Sequence, residues 1–379
     1  MKRLITSESV SSGHPDKVSD QISDAILDAY LSQDPTSKVA VETMVKDNTV
    51  ILGGEVNSKG TINLDDIVRS TVEGIGYTDA EHGFYHKNLT IINLIGKQSP
   101  EINSAVELDT EDVTAGDQGF MVGYATNETS TKMPIGMYMS KKLVDYVSTI
   151  NKFGPDTKAQ VTVEEEGENK RIHTILVSTM HNPSVELDEV ITTVINAIEM
   201  NLMGMDDEVH SLIDENTKIV VNPAGQWNVG GPVSDCGLTG RKIVVDQYGP
   251  YCPVGGGAFS GKDPSKVDRS AAYLARYIAK NIVSANLADK CKVEISYMIG
   301  RAEPTSLNVD TFGYSDDEVL SELVQNIFPM TPNDIIKELE LTNPIYLETA
   351  RGHFGNDKLS WEQTNKAEEL FKSYSQPVS

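Results

Sequence analysis

The chain has 379 residues, with 32 Lys and Arg against 56 Asp and Glu, so its formal net charge is −24 at pH 7. This length predicts two or three domains with substantial cores. Because negative charge repels polyanions at long range, the composition excludes a protein that wraps nucleic acid or lies on an anionic membrane, but not a local basic site for a small anion.

No stretch of the sequence approaches the ~18 uncharged apolar residues that a membrane span requires. The first residues, MKRLITSE, lack the apolar segment of a secretion signal. The sequence therefore predicts a cytoplasmic protein. Its three cysteines, Cys236, Cys252 and Cys291, fit neither a disulfide framework nor paired zinc ligands, so reduced thiols are expected.

The hydrophobic pattern predicts one unit three times: a helix, a β-hairpin and a second helix with acidic residues in its first turn. The predicted units are helix 15–33, hairpin 38–56 and a helix from Leu64; helix 134–150, hairpin 158–180 and a helix from Leu187; and helix 264–285, hairpin 291–310 and a helix from Ser315. These copies are too long for a solenoid repeat, so the pattern predicts three similar α+β domains.

The first helix is preceded by Gly13-His14-Pro15-Asp16-Lys17. Pro15 is typical of a first helical position, which puts His14 at the N-cap and Asp16 in the first turn. A lone His at such a position is more often a cap than a catalyst. The alternative is a hydrogen-bond donor beside a hard oxygen ligand of the kind that Mg²⁺ takes together with phosphates.

The first hairpin carries an acid on an otherwise apolar side, because Glu42 shares a strand face with Ala40 and Met44. A two-residue loop at Asp47-Asn48 would put Glu55 on the same face. Two carboxylates on such a face require cations. Either a buried Lys or Arg partner or a bound metal or cationic ligand meets this requirement.

Between the first two units, the residues from Lys97 to Gly119 show no clear periodicity. A loop of this length is usually either a functional lid or a disordered linker. The residues alone leave both possibilities open.

The third unit begins with the most informative stretch, GGGAFSGKDPSK at 255–266. Its 256–262 part fits the spacing of a Walker loop, but Asp263 stands where Ser or Thr must bind magnesium, so a P-loop is rejected. What remains is a glycine-rich turn with exposed backbone N–H groups, followed by a helix with Asp263 as N-cap and Pro264 as first residue. Such a helix start binds anions.

Four cationic residues gather near this predicted helix start: Arg241, Lys242, Lys262 and Lys266. Positive charges gathered at a helix N-terminus repel one another, and this repulsion is offset only where a polyanion or carboxylates lie between them. The pattern therefore predicts either a polyanion site or a basic rim that is solvated or paired with Asp263 and Asp268.

Four motifs stand out in chain order: Gly13 to Lys17, Gly116 to Gly119, Asp235 to Lys242 and Gly255 to Arg269. Together they resemble the S-adenosylmethionine synthetases (methionine adenosyltransferases), and the resemblance extends from Thr6 to about Gly355. It implies three pseudo-threefold-related α+β domains at 2–101, 113–231 and 232–370, which can interleave in sequence, and a mobile gate at 97–113. It also implies a homodimer with active sites between protomers, often paired into a homotetramer.

The resemblance implies that the sulfur of L-methionine attacks C5′ of ATP and releases tripolyphosphate, which is then hydrolysed to phosphate and diphosphate. A neutral thioether needs no general base, and no pair of nucleophile and base stands out in the sequence. The group that needs stabilisation is the leaving group, which departs with about four negative charges. Preorganised cations must bind these charges.

The resemblance implies roles for individual positions of this sequence. His14 would be the catalytic group near the ribose and the departing phosphate oxygen, acting by hydrogen bonding and charge. The implied polyphosphate ligands are Lys158, Arg241, Lys242 and Lys262. The implied metal ligands are Asp16 and Asp268 for two Mg²⁺ ions and Glu42 for K⁺. The implied methionine contacts are Glu55, Gln98, Asp235 and Lys266. The implied further ATP contacts are Asp156, Thr157, Gln226, Trp227, Asp235 and Ala258, and Asp117 lines the site.

Three positions, in two motifs, depart from the family pattern. The usual Gly-Arg-Phe appears as Gly225-Gln226-Trp227, so a positive charge is missing while an aromatic surface for adenine remains. Val254 replaces the His that commonly precedes the three glycines. Neither change removes an implied phosphate or metal ligand.

Two other classes of function stay open on the residues alone. A non-catalytic regulatory paralogue would be expected to lack a catalytic position, whereas the implied catalytic residues are all present. A general ATP-dependent ligase or kinase would cleave ATP to AMP or ADP.

Overall fold

The computed structural model describes residues 2–97, 114–167 and 169–375. Its strands are Lys2–Val10 (β1), Lys38–Lys46 (β2), Thr49–Asn57 (β3), Thr90–Lys97 (β4), Gly119–Thr126 (β5), Phe153–Glu166 (β6), Asn169–His181 (β7), Lys218–Val221 (β8), Gly237–Leu238 (β9), Lys290–Tyr297 (β10) and Ser306–Asp310 (β11). Its α-helices are Pro15–Leu31 (α1), Leu64–Ile75 (α2), Ile135–Val147 (α3), Leu187–Leu202 (α4), Asp207–His210 (α5), Gly231–Ser234 (α6), Ile243–Asp246 (α7), Val267–Ser284 (α8), Asp317–Ile327 (α9), Pro332–Glu338 (α10), Tyr346–Thr349 (α11) and Ala367–Tyr374 (α12).

The strands form three sheets, with the orders β1-β6-β7-β8, β11-β10-β5 and β4-β3-β2-β9. Each sheet joins strands from distant parts of the chain: β1 pairs with β6, β5 with β10, and β9 with β2. The α+β class is confirmed. The boundaries 2–101, 113–231 and 232–370 stay a prediction, and each sheet takes strands from two of these ranges. Among the described helices, none combines the length and the apolar composition needed to cross a bilayer.

The first hairpin has the register that the sequence predicts. β2 and β3 turn through Asp47 and Asn48, and Ala40 lies opposite Glu55. Asp47 has a φ of 50°, in the left-handed region that a primed two-residue turn requires. The turn therefore fixes which side chains share a face.

The face that carries Glu42 is the outer face of its sheet. Val39, Val41 and Val45 are buried on the other side of β2, where the strand packs against α1, while Glu42 and Met44 are exposed. Of the two predicted possibilities, a buried Lys or Arg partner is wrong for the part of the chain that the structure describes, because Glu42 itself is exposed there. The alternation of side chains is correct, but it turns the acid toward solvent.

The last long helix begins three residues later than the sequence predicts, at Val267 with Lys266 as its N-cap residue. Asp263 is not the cap, because its buried carboxylate accepts hydrogen bonds from the N–H of Val39 and from the N–H and hydroxyl of Ser265, and also pairs with Lys266. Asp263 thus closes the turn that precedes the helix and ties it to β2.

Candidate active site

The start of α1 and the 235–242 segment meet at the carboxylate of Asp16. Oδ1 of Asp16 accepts the N–H of Leu238 at 3.0 Å, and Oδ2 lies 2.7 Å from Nζ of Lys242. Hydrogen bonds from Lys242 and Leu238 lower the pKa of Asp16 despite its burial. Asp16 is therefore an anion that joins two chain segments far apart in sequence.

His14 caps α1, as the sequence predicts, and is almost fully buried. Its Nδ1 accepts the N–H of Asp16 at 3.2 Å. Burial, followed by the charges of Lys242 and Lys158, lowers the pKa of His14 to about 3. The imidazole is thus neutral near pH 7, with its proton on Nε2, so it can donate a hydrogen bond there but carries no positive charge.

A second ion pair lies at the end of the glycine-rich segment. Nζ of Lys262 lies 2.7 Å from Oδ2 of Asp268, and each side chain is about one-quarter exposed. A Cβ atom at Gly257 would lie 3.1 Å from that Nζ and 3.2 Å from that Oδ2. Glycine at this position therefore keeps one side of the ion pair open.

The glycines do not form the predicted cradle of free N–H groups. The N–H groups of Gly255, Gly256 and Gly261 donate to Gln247, Phe120 and Asp24, respectively. Gly261 has a φ of 81°, and a Cβ there would lie 1.9 Å from the carbonyl oxygen of Val41. The prediction of an N–H cradle is wrong for these three positions, where glycine permits close backbone packing.

That close packing brings Lys262 to the edge of the third sheet. Lys262 forms an isolated bridge with Ala40 of β2. Ala40 lies opposite Glu55, and Glu42 follows two residues later. The lysine end of the glycine-rich segment therefore lies next to the face that carries both exposed carboxylates.

Models of three protein-family domains match this chain in order. They are the N-terminal domain of S-adenosylmethionine synthetase at 2–100, its central domain at 112–227 and its C-terminal domain at 229–363. An S-adenosylmethionine synthase of Clostridium tetani is 47% identical over 98% of this chain and 99% of its own length. This chain belongs to the S-adenosylmethionine synthetase family. The resemblance that its motifs predict is confirmed.

In this synthetase-family chain, Asp156 presents a buried acceptor that has no partner among the described residues. Its Oδ2 accepts the N–H of Gly231 at 2.9 Å, while its Oδ1 is buried without a hydrogen bond. Burial raises the pKa of Asp156 to about 6. An unsatisfied buried oxygen suits a donor on a bound molecule, such as an amino group or hydroxyl of a nucleotide.

Residues near Asp156 supply a flat surface beside a cation. Nζ of Lys158 lies 5.9 Å from the ring centre of Trp227. Gln226, which stands where the family usually has Arg, binds Nε2 of His181 through its Oε1 at 2.6 Å. The hydroxyl of Thr157 is already hydrogen-bonded to the hydroxyl of Thr179, at 2.8 Å.

Of the other sequence-predicted site residues, Arg241 reaches the cluster through its Nε, which lies 3.9 Å from Oδ1 of Asp16. Lys158, Asp117, Asp235 and Arg241 are exposed. Ala258 packs against Gly240, where an added Cβ would lie 2.3 Å from that of Ala258. Gln98 and the 98–113 part of the predicted gate lie outside the described residues.

The aspartates of α1 that follow Asp16 were not predicted as residues of the site. Asp20 and Asp24 are buried and bind the backbone beside the cationic residues of the site. The available signal was their spacing, because an Asp stands at every fourth position of α1.

Proposed function

We propose that this protein transfers the adenosyl group of ATP to the sulfur of L-methionine and hydrolyses the released tripolyphosphate to phosphate and diphosphate. Membership of the S-adenosylmethionine synthetase family supports this reaction. The observation that carries it is the packing of Ala258 against Gly240, which brings the segment of the Lys262–Asp268 pair to the segment of the Lys242–Asp16 pair beside the neutral donor His14. The proposed setting is the cytoplasm.

The chemistry follows from where charge develops. The methionine sulfur is a neutral nucleophile, so no residue has to remove a proton from it. As the C5′–O bond breaks, negative charge grows on the tripolyphosphate. Lys242 and Lys262 would hold that charge, with Lys158 and Arg241 as exposed cations that close on it, and preorganised cations are the most effective stabilisers of such a transition state.

His14 would donate the proton of Nε2 in a hydrogen bond to the departing oxygen. The N–H of Asp16 occupies Nδ1 and fixes this orientation. Because the group is neutral, it stabilises the growing charge without drawing the ATP phosphates toward itself in the ground state. This difference between the two states is what raises kcat.

The carboxylates of Asp16 and Asp268 fit the binding of Mg²⁺ shared with phosphates. In the structure each of these carboxylates lies 2.7 Å from a lysine ammonium, so both positions favour a cation. Among the described residues, no group of three or more His, Cys, Asp and Glu side chains is arranged to hold a metal. Mg²⁺ is typically bound by one or two carboxylates together with substrate phosphates, and it supplies charge neutralisation there. We propose two Mg²⁺ ions per site.

Methionine recognition would need an acid for the ammonium group and a cation for the carboxylate. The proposed contacts are Glu55, Gln98, Asp235 and Lys266. Glu42 would bind K⁺, because its carboxylate is exposed and the residue opposite it, Gly53, leaves open space where a side chain would project.

For Glu42→Gln, we expect K⁺ to lose its stimulating effect on the reaction while the fold is kept. The amide removes the negative charge that binds the ion but retains the shape of the side chain. The measurement is the initial rate with and without K⁺ at constant ionic strength. Glu199→Gln, which changes an exposed acid of α4, is the control. A Glu42 variant that still responds fully to K⁺ would move the ion elsewhere.

A homodimer is proposed from the outer face of the third sheet. Its exposed apolar side chains are Met44, Ile92, Leu94 and Leu238, of which Leu94 is 66% exposed. A contiguous apolar surface of this kind marks an interface. Glu42 and Glu55 share the face, so a second copy seated there would complete two sites, and pairs of dimers would give the proposed homotetramer.

For Leu94→Asp, we expect the dimer to dissociate and activity to fall with it, because the change buries an unpaired charge in the interface. Sedimentation velocity and activity are measured over a range of protein concentrations. Leu4→Asp is the control, because Leu4 is 55% exposed on β1, in a different sheet. A Leu94 variant that stays dimeric would place the interface on another surface.

The assay that tests the proposed function combines ATP and methionine with and without Mg²⁺ and K⁺. We expect S-adenosylmethionine, and methionine-dependent phosphate and diphosphate. ADP or AMP as nucleotide product would indicate a kinase or a ligase. Nucleotide binding without turnover would indicate a regulatory paralogue.

A further inference from the structure

Helix α1 carries an aspartate at every fourth position, and we name this set the aspartate ladder: Asp16, Asp20, Asp24 and Asp28. Residues four apart are neighbours on one side of a helix, so the four carboxylates follow one another along α1. Each of them binds a part of the chain more than 200 residues away. The ladder is thus a tertiary docking surface and not a solvated helix face.

Asp20 binds the segment that presents the first two cations. Its Oδ1 accepts the N–H of Gly240 at 2.8 Å, and its Oδ2 lies 3.1 Å from Nζ of Lys17. Gly240 immediately precedes Arg241 and Lys242. Together with the bond from Leu238 to Asp16, this contact holds two alternate N–H groups of the segment against α1.

Asp24 binds the second cationic segment in the same manner. Its Oδ1 accepts the N–H of Gly261 at 2.8 Å, and Gly261 immediately precedes Lys262. Its two oxygens also pair with the guanidinium of Arg269, at 2.7 and 3.0 Å. Arg269 in turn donates to the carbonyl oxygen of Lys262 at 3.1 Å, so this lysine is held on both sides of its backbone.

A contribution to stability alone does not explain why positions 20 and 24 carry carboxylates. Asp20 and Asp24 have no exposed surface. Buried ion pairs can often be replaced by apolar side chains without loss of stability, because desolvation offsets their attraction. Here each carboxylate accepts the N–H of the residue directly before a site cation, which an apolar side chain cannot do.

We propose that Asp20 and Asp24 are positioning residues for the polyphosphate site, acting through the backbone at Gly240 and Gly261. They set where Arg241, Lys242 and Lys262 stand relative to His14, which caps the same helix. One rigid helix thus fixes the donor and both cationic segments together. This inference rests on the proposed function.

Asp28 offers a matched control within the ladder. It accepts the N–H groups of Tyr346 and Leu347 at 3.0 and 2.8 Å. That segment carries none of the candidate site residues. A purely structural ladder would give similar results for Asp28 and Asp20, whereas a positioning role separates them.

The test compares Asp20→Ala, Asp20→Asn and Asp28→Ala with the unchanged protein. For Asp20→Ala, we expect kcat to fall on the order of 10- to 100-fold and tripolyphosphate with Mg²⁺ to bind more weakly, because small displacements of catalytic groups are costly. Asp20→Asn keeps an oxygen for Gly240 and leaves Lys17 paired with Asp246, so it should recover most of the activity. Asp28→Ala should keep kcat and tripolyphosphate binding within about twofold, a change too small to indicate a lost catalytic contact.

Readouts are kcat and KM for both substrates, calorimetric binding of tripolyphosphate with Mg²⁺, and the thermal midpoint of each variant. A folded Asp20→Ala protein with unchanged kcat and tripolyphosphate affinity would overturn the inference. Equal losses in Asp28→Ala would overturn it too. If the unchanged protein fails to form S-adenosylmethionine, the proposed function fails first, so the two failures can be told apart.

A second variant covers the case in which Asp20→Ala does not fold. Thr239 lies in the same segment as Gly240. Its hydroxyl hydrogen-bonds to the hydroxyl of Ser23 of α1 at 2.9 Å and accepts the N–H of Thr43 at 2.9 Å, and Thr239→Val removes both bonds. The side chain keeps its shape, so folding should be retained. We expect kcat to fall about two- to tenfold, the scale of one hydrogen bond. An unchanged kcat and tripolyphosphate affinity would contradict the positioning role.

Discussion

Replacing Lys262 by Met should lower kcat for adenosyl transfer about 10²- to 10³-fold, the usual effect of removing one preorganised group that stabilises developing charge. Its ammonium lies 2.7 Å from Asp268 and is held at the edge of β2. The charge it meets grows as tripolyphosphate departs, so the loss should appear in kcat and leave the KM for methionine nearly unchanged. Steady-state rates with both substrates varied provide the measurement.

Lys170→Met is the matched control for that variant. Lys170 of the β6–β7 hairpin is 27% exposed and paired with Glu128, in the loop after β5, and with Glu165 of β6, while Lys262 is 24% exposed and paired with one carboxylate. Both changes remove a half-buried ammonium from an ion pair. If Lys262→Met kept its kcat, or if Lys170→Met lost as much, Lys262 would not be a ligand of the leaving group.

Replacing His14 by Leu should also lower kcat on the order of 10²- to 10³-fold, since it removes the donor on Nε2. His14→Gln should retain part of the rate because its amide N–H can donate near the same place. His173→Gln changes a half-buried histidine of β7 and should have little effect. A fully active His14→Leu protein would exclude a hydrogen bond to the departing oxygen.

The low pKa of His14 adds an expectation about pH. With a pKa of about 3 in the folded protein, His14 does not gain a proton between pH 8 and 5, so its titration should leave no step in kcat there. An unfolded His titrates near pH 6.5, so the unfolded state binds more protons between about pH 6.5 and 3. The stability that His14 contributes is therefore present above pH 6.5 and is lost as the pH falls through this window. Proton NMR of the ring checks the first point, and a comparison of unfolding in the unchanged protein and His14→Gln checks the second.

Local sequence signals were sufficient for several elements near the site. Pro15 marked the start of α1 and put His14 at its cap, and the turn at Asp47-Asn48 fixed the register of the first hairpin. Each of these features depends on residues next to one another in the chain. Which face of the hairpin would be buried was not predicted, because that depends on α1 packing against the other side.

The glycine-rich segment shows the opposite case. Its motif suggested free N–H groups, but the acceptors that take them belong to remote residues: Phe120, Gln247 and Asp24. The aspartate ladder was missed for the same reason, since acids at every fourth position of a helix ordinarily indicate a solvated face. Those carboxylates become buried hydrogen-bond acceptors only because distant segments of the chain pack against α1.

The exchange of strands among the three sheets has a consequence for how the protein is made. β2, β3 and β4 can pair as soon as residue 97 has left the ribosome. The partner of β1, β6, begins about 140 residues after β1 ends, so at typical synthesis rates β1 stays unpaired for roughly 7–30 s. β5 waits similarly for β10. We therefore expect the sheets to be completed in the order of their last long strands during translation, with β1 held as an unpaired edge that a chaperone could shield.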